Sequence, residues 1–195
     1  MKADDSCLHC RVVVIGDSAV GKTSILNQLI DNAFNPFEQS TVGANYQLFI
    51  EEIDGQKVEM QIWDTAGQEK FRSLAPIYFR NSAGAVAVYD QTSRSSFEHL
   101  DNWIKTFRDI AGTDTAIAIA GNKCDLESAI EVPITEANEW ASQRGFEIIS
   151  TSARSGTGVR TLFSKLAHQL LQTNASSKRM KKKEVEPVVN NQCSC

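Results

Sequence analysis

Residues 16 to 23 read Gly16-Asp17-Ser18-Ala19-Val20-Gly21-Lys22-Thr23, a spacing of glycines, lysine and hydroxyl that suits the holding of phosphates. Gly16 and Gly21 let the backbone take turns that a Cβ opposes, so successive N–H groups point inward as a nest. A helix beginning near Lys22 adds the positive end of its dipole. Lys22 reaches β- and γ-phosphates as a point charge, and the Thr23 hydroxyl suits Mg²⁺. Two further stretches could complete such chemistry. In Asp64-Thr65-Ala66-Gly67-Gln68, Asp64 could hold Mg²⁺ through water, Gly67 has no side chain to keep its N–H from a γ-phosphate, and Gln68 could orient an attacking water. In Asn122-Lys123-Cys124-Asp125, the carboxylate of Asp125 can accept from N1–H and the 2-amino group of guanine. Adenine offers no such pair of donors, and a carboxylate left unpaired in a closed site costs several kcal/mol of discrimination.

The elements around these stretches have to bring them together. Val12–Ile15 is a strand-length apolar run ahead of the glycine loop, and Ser24, Leu26, Leu29 and Ile30 follow with helical spacing. Residues 31–43 carry Pro36 and no period, so they read as a loop. Tyr46–Ile53 and Val58–Trp63 alternate partially around Asp54-Gly55, the signal for a hairpin. A short helical stretch is expected with Phe71, Leu74, Ile77 and Tyr78 on one side. Ala83–Tyr89, Ala116–Ala120 and Phe146–Ile149 read as buried strands, each followed by a helical stripe: Phe97, Leu100, Ile104 and Phe107; then Ala137, Trp140 and Ala141 behind Pro133; then Leu162 to Leu171 in a helix over about 158–172. Strands alternating with helices predict an α/β domain: a mostly parallel six-stranded sheet with one antiparallel edge strand and helices on both faces. Ligands of such sheets bind at the carboxyl ends of strands, and every polar motif above directly follows a strand.

Gly16–Thr23, Trp63–Glu69, Asn122–Asp125 and Thr151-Ser152-Ala153 together resemble the small GTPases of the Ras superfamily, over roughly residues 10 to 172. Within it, Lys70-Phe71-Arg72-Ser73-Leu74, Tyr78-Phe79-Arg80 and the terminal Cys193-Ser194-Cys195 resemble the Rabs. Ser73-Leu74-Ala75-Pro76 and Thr41-Val42-Gly43-Ala44 lean towards the early-endosomal subgroup. The resemblance implies a P-loop GTPase that acts as a GTP/GDP switch on the cytoplasmic face of an intracellular membrane and cycles with the cytosol. It implies catalytic parts for Gln68, Lys22 and Thr41, and nucleotide contacts from Asp17 through Ser24 and from Gly67, Asn122, Lys123 and Asp125. Phe34 would pack on the guanine, Thr41 would close on Mg²⁺ and the γ-phosphate as first switch, and Ser152, Ala153 and Arg154 would support the base. Thr23, Thr41 and Asp64 would serve the metal. Tyr46, Trp63 and Tyr78 resemble the aromatic triad that Rabs turn towards effectors. An exchange factor, an activating protein, a dissociation inhibitor and a prenylation escort are the further partners implied, for a monomer. Ala44-Asn45-Tyr46 departs from the commoner Val-Asp-Phe, and Arg154 stands where lysine is usual.

Composition narrows the alternatives. With 42% hydrophobic and 23% charged residues, the chain has a globular composition, and no run approaches the ~20 apolar residues of a membrane helix. No secretory h-region is expected at the N-terminus, and Lys2 excludes myristoylation. The net charge is −4, while the segment from Thr173 onward holds five basic and two acidic residues. An acidic body argues against nucleic-acid binding. Residues 1–9 are expected to be a flexible N-terminus, 10–172 the domain and 173–195 a disordered tail, whose Cys193 and Cys195 resemble a double geranylgeranylation end. Five cysteines clustered at the termini do not suggest disulfides. Cys7-Leu8-His9-Cys10 has metal-like spacing, yet no second Cys/His pair accompanies it, so a frayed terminus is the expectation. A P-loop ATPase or small-molecule kinase would share 16–23 without needing Asn122–Asp125. A binding-only adaptor would have no use for Lys22, Thr23, Thr41, Asp64 and Gln68 together.

Overall fold

The structure, a computed structural model, describes residues 7–41, 44–65 and 75–184, with backbone alone at Ala75 and 175–184. Gly67, Gln68, Phe71, Arg72 and Leu74, and the tail cysteines Cys193 and Cys195, lie outside the described residues.

Six strands form one sheet in the order β2-β3-β1-β4-β5-β6: β1 (Leu8–Ile15), β2 (Ala44–Ile53), β3 (Gln56–Thr65), β4 (Gly84–Asp90), β5 (Ala116–Asn122) and β6 (Ile148–Ser150). Every pairing is parallel except β2 with β3. The antiparallel pair turns on Asp54-Gly55, both at positive φ (50° and 77°) with Ile53 opposite Gln56. Only a turn of that hand follows the twist of the two strands, and glycine in second place adopts it without strain.

Side chains on β1 alternate between two cores. Cys10, Val12 and Val14 join Ile25 and Leu26 of α1 (Lys22–Asp31) and Leu162, Phe163, Leu166 and Leu170 of α6 (Val159–Glu184). Val13 and Ile15 join the other face, covered by Phe79 of α2 (Ala75–Phe79), Phe97 of α3 (Arg94–Glu98), Phe107 of α4 (Leu100–Ala111) and Ala137 and Ala141 of α5 (Ile134–Gln143). Covering on both faces is why β4 and β5 are buried at every position and read as unbroken apolar runs.

The structure departs from the sequence reading in five places. β1 begins at Leu8, within the segment expected to be flexible, because Leu8 pairs with Val58 of β3. The stripe from Phe97 to Phe107 is two helices that meet at His99, whose N–H closes α3 while its carbonyl opens α4. Ile77 is exposed and Phe79 takes the inward place, since five residues of helix cannot turn all their apolar side chains to one side. β6 starts at Ile148 instead of Phe146, while Trp140, expected inward, is half-buried and does pack against the core. α6 runs to Glu184, well past residue 172. Its extension through Ala175, Lys178, Arg179, Met180 and Lys181–Glu184 is rich in good helix formers, and no proline or glycine intervenes before Pro187.

Candidate functional site: a phosphate and base cleft

Strand register alone lines up the polar motifs. Val14, just before the glycine loop, pairs with Asp64 of β3, Asp90 of β4 pairs with Asn122 of β5, and Gly121 pairs with Ser150 of β6. All lie at the carboxyl ends of their strands, where the chain departs from β1 to opposite sides of the sheet. A cleft of about 650 Å³ opens there, lined by Ser18, Ala19, Gly21–Ser24, Phe34, Thr41, Asn122, Lys123, Asp125, Leu126, Ala153 and Arg154.

The glycine loop is shaped as the sequence requires. Ala19 has φ 64° and Gly21 φ 96°, left-handed turns that rotate successive amides to one side. A Cβ on Gly16 would sit 2.2 Å from the Val88 carbonyl oxygen, and one on Gly21 would sit 2.3 Å from Asn122 Nδ2. Lys22 Nζ donates to the carbonyls of Gly16 (3.0 Å) and Asp17 (2.6 Å), which stretches the side chain back along the loop. Burial pulls this ammonium down to about 8 against the opposing pull of Asp64 and Asp17; a polyanion in the cleft would push it back up.

Three oxygens converge beside Lys22. Thr23 Oγ1 donates to Asp64 Oδ2 at 2.6 Å and lies 2.7 Å from Thr41 Oγ1, which in turn is 3.3 Å from the same carboxylate oxygen. Asp64 Oδ1 is buried with no hydrogen-bond partner, and burial raises the carboxyl's pKa despite the two hydroxyls and Lys22. A hard divalent cation fits this set: the donors are all oxygen, and its charge would stabilise the carboxylate that burial disfavours.

At the other end, Asn122 Nδ2 donates to the Val20 carbonyl (2.9 Å), while its Oδ1 accepts from Ala153 N (3.2 Å) and Thr151 Oγ1 (3.3 Å). One side chain thus fastens the glycine loop to two strand ends. Ser152 is fully buried and donates to Asp125 Oδ1 at 2.6 Å, so it acts behind the cleft wall. Lys123, at φ 65°, forms an ion pair with Asp90 (2.6 Å). Phe34 is partly exposed on the rim.

Asp17, expected among the nucleotide contacts, does not line the cleft: its carboxylate accepts from His99 Nδ1 (2.6 Å) and Trp103 Nε1 (2.8 Å) at the start of α4. Other contributors carry no signal in the sequence: Asp90, which orients Lys123, and Pro36, Glu38, Gln39 and Ser40, which extend the wall beyond Phe34. The 31–43 loop has no pattern that marks them, and the Asp17 contacts span more than 80 residues. On the flank, Tyr46, Trp63 and Tyr78 do come together. Tyr46 and Trp63 meet edge-on at 5.6 Å between centroids and Trp63 and Tyr78 at 6.0 Å.

A glycine-bounded loop, a cleft at the carboxyl ends of the strands and an all-oxygen cluster at one rim suit an α/β domain that binds a nucleotide. The family model that matches residues 11–172 is the Ras family. The chain is 40% identical to Ras-related protein RABA5d of Arabidopsis thaliana over 170 residues, covering 87% of this chain and 77% of the relative. It is 39% identical to Ras-related protein Rab-4 of Dictyostelium discoideum over 161 residues (83% and 78%), and 39% identical to Ras-related protein Rab-21 of Mus musculus over 171 residues (88% and 77%). The chain belongs to the Ras family, in its Rab branch. Members of that family are GTPases that bind GTP and GDP and act as switches at intracellular membranes. No helix among the described residues is long and apolar enough to cross a membrane.

Proposed function

We propose that this protein is a GTP-dependent switch of membrane traffic in which Thr41 couples the 32–43 loop to the occupant of the cleft. The Thr23–Thr41–Asp64 cluster carries the reading. Thr41 belongs to a loop otherwise exposed from Asn32 to Ser40, yet its hydroxyl reaches the root of the phosphate loop. A loop whose end is held by such a contact changes position with what occupies that point.

Asp125 accepts the two guanine donors, with Ser152 fixing its carboxylate, and Phe34 covers the ring. The N–H groups of 17–23 and Lys22 hold the phosphates and stabilise charge as it moves onto the oxygen between the β- and γ-phosphorus. Thr23, Thr41 and Asp64 would hold Mg²⁺, which when bound neutralises phosphate charge. Gln68 orients the water whose oxygen bonds to the γ-phosphorus as the bridging bond breaks, giving GDP and phosphate. The sequence identifies neither Arg72 nor Arg80 as a catalytic arginine, and on this reading intrinsic turnover is slow and an activating protein adds up to about 10⁵-fold. Tyr46, Trp63 and Tyr78 form the effector surface, and Cys193 and Cys195 carry two prenyl groups, since one chain anchors only marginally. The endosomal lean of Ser73–Pro76 and Thr41–Ala44 makes early endocytic membranes the proposed place of work.

The deciding experiment is titration of the Mg²⁺-containing protein with fluorescent GDP and GTP, challenged with excess ATP. Binding that ATP leaves untouched is the expected outcome; displacement by ATP would refute the role given to Asp125.

A further inference from the structure

At the end of β1 away from the phosphate loop, Cys7, His9 and Glu59 share one face of the sheet. Cys7 and His9 are two apart on extended chain, so their side chains project together, and parallel register sets His9 beside Glu59. Cys10 belongs to the opposite face, buried among Val12, Val14 and Met60. A ligand atom from each of Cys7, His9 and Glu59 lies within 4.8 Å of the other two, and His9 Nδ1 is 2.9 Å from Glu59 Oε1. Cys7 and Glu59 are half-buried and His9 is exposed, so all three can rotate. Arg11, the next residue on that face, is held away: its guanidinium lies 4.7 Å from the Trp63 ring centroid and donates to the Ile77 carbonyl.

We propose that Cys7, His9 and Glu59 form a three-ligand site for a borderline-soft divalent cation, zinc foremost, with a fourth position open to water. Zinc takes sulfur at ~2.3 Å and nitrogen or oxygen at ~2.0–2.2 Å, which places tetrahedral ligands roughly 3–4 Å apart. Side-chain rotation closes the present spacing to that range without moving a strand. Thiolate and carboxylate neutralise the ion, and imidazole completes a donor set that Mg²⁺ refuses and Zn²⁺ accepts. The two cation positions therefore do not compete: the oxygen cluster by Lys22 takes the hard ion, and the strand end takes the soft one. Binding ties the chain ahead of β1 to β3 and displaces the Cys7 proton, so uptake weakens as pH falls. The His9–Glu59 contact accounts for two of the three residues as an ordinary ion pair; the third, Cys7, distinguishes a site from a pair.

The test titrates Co²⁺, a spectroscopic substitute for Zn²⁺, into the full chain loaded with GDP and Mg²⁺, with Cys193→Ser and Cys195→Ser removing the tail thiols. One equivalent should produce a thiolate-to-cobalt charge-transfer band that one equivalent of Zn²⁺ abolishes. Cys7→Ser should eliminate the band, and Cys10→Ala should keep it. His9→Gln and Glu59→Gln should each weaken uptake by more than the roughly 10–100-fold that loss of a supporting hydrogen bond costs. Absence of the band in the parent protein overturns the proposal. So does an undiminished band in Cys7→Ser, which would put the metal on another thiol, or undiminished uptake in His9→Gln, which would leave the imidazole out of the ligand set.

Discussion

Asn122 lines the cleft and also fastens its walls together. It is 1% exposed, and its amide joins the Val20 carbonyl to Ala153 N and Thr151 Oγ1. Asn122→Ala strands these groups in a buried place, at about 1–3 kcal/mol for each one left unpaired. Urea denaturation should show the loss with the m-value unchanged. Gly21 faces the same amide. In Gly21→Ala a Cβ would meet Asn122 Nδ2 at 2.3 Å on a backbone of φ 96°, and such strain costs about 1–3 kcal/mol; nucleotide affinity should fall with stability. Asp125→Ala differs, because Asp125 is exposed beside the cleft and, among the described residues, only Ser152 is hydrogen-bonded to it. Without nucleotide its stability should fall by no more than the about 1–3 kcal/mol of the single Ser152 hydroxyl left unpaired, while the preference for GTP over ATP should drop by the several kcal/mol assigned to an unpaired carboxylate. Competition binding measures that directly. The pattern N-K-x-D pointed to Asn122 and Asp125 alike, but only the contacts separate fastener from reader.

Among the elements, the β2–β3 hairpin does two things. Its inner face, with Ile53, Val58, Met60 and Ile62, completes one core, while Tyr46, Leu48 and Ile50 of β2 stay exposed. Trp63 stands between Tyr46 and Tyr78, so Trp63→Ala separates strand from helix across this row. Aromatic pairs contribute ~0.5–1.5 kcal/mol beyond their area. The expected outcome is loss of effector binding in a GTP-dependent pull-down, with nucleotide titration unaltered. On the far face, Phe107 is fully buried and edge-on to Phe79 at 5.5 Å. Phe107→Ala should cost about 3–5 kcal/mol, read as a fall in melting temperature. The α3–α4 joint at His99 was hidden because both helices present apolar residues at one spacing. A stripe records which way side chains face and says nothing of a break in the axis. The length of α6 was hidden for the opposite reason: beyond residue 172 the sequence lacks an apolar face, so no period marks the helix there.

For the whole molecule, ligands and lipid should act independently. Nucleotide binds only the folded state, so saturation at about 1,000 times Kd adds ~4 kcal/mol of stability. Chelation of Mg²⁺ with EDTA should remove part of that gain in a thermal melt. Cys193→Ser with Cys195→Ser should leave the melt unchanged and release the protein from membranes to the cytosol in cell fractionation. The fold and the chemistry of the rim were legible because they rest on local rules. Apolar runs mark strands covered on both faces, glycines mark turns closed to a Cβ, and each polar motif directly follows a strand, so parallel pairing puts them at one edge. What the tertiary structure alone decided are contacts between residues far apart in sequence whose types are individually unremarked. His99 and Trp103 turn Asp17 away from the cleft, Asp90 holds Lys123, and Glu59 comes beside His9. No period or motif encodes these. They follow from strand register and helix placement, which the packing of the entire core sets.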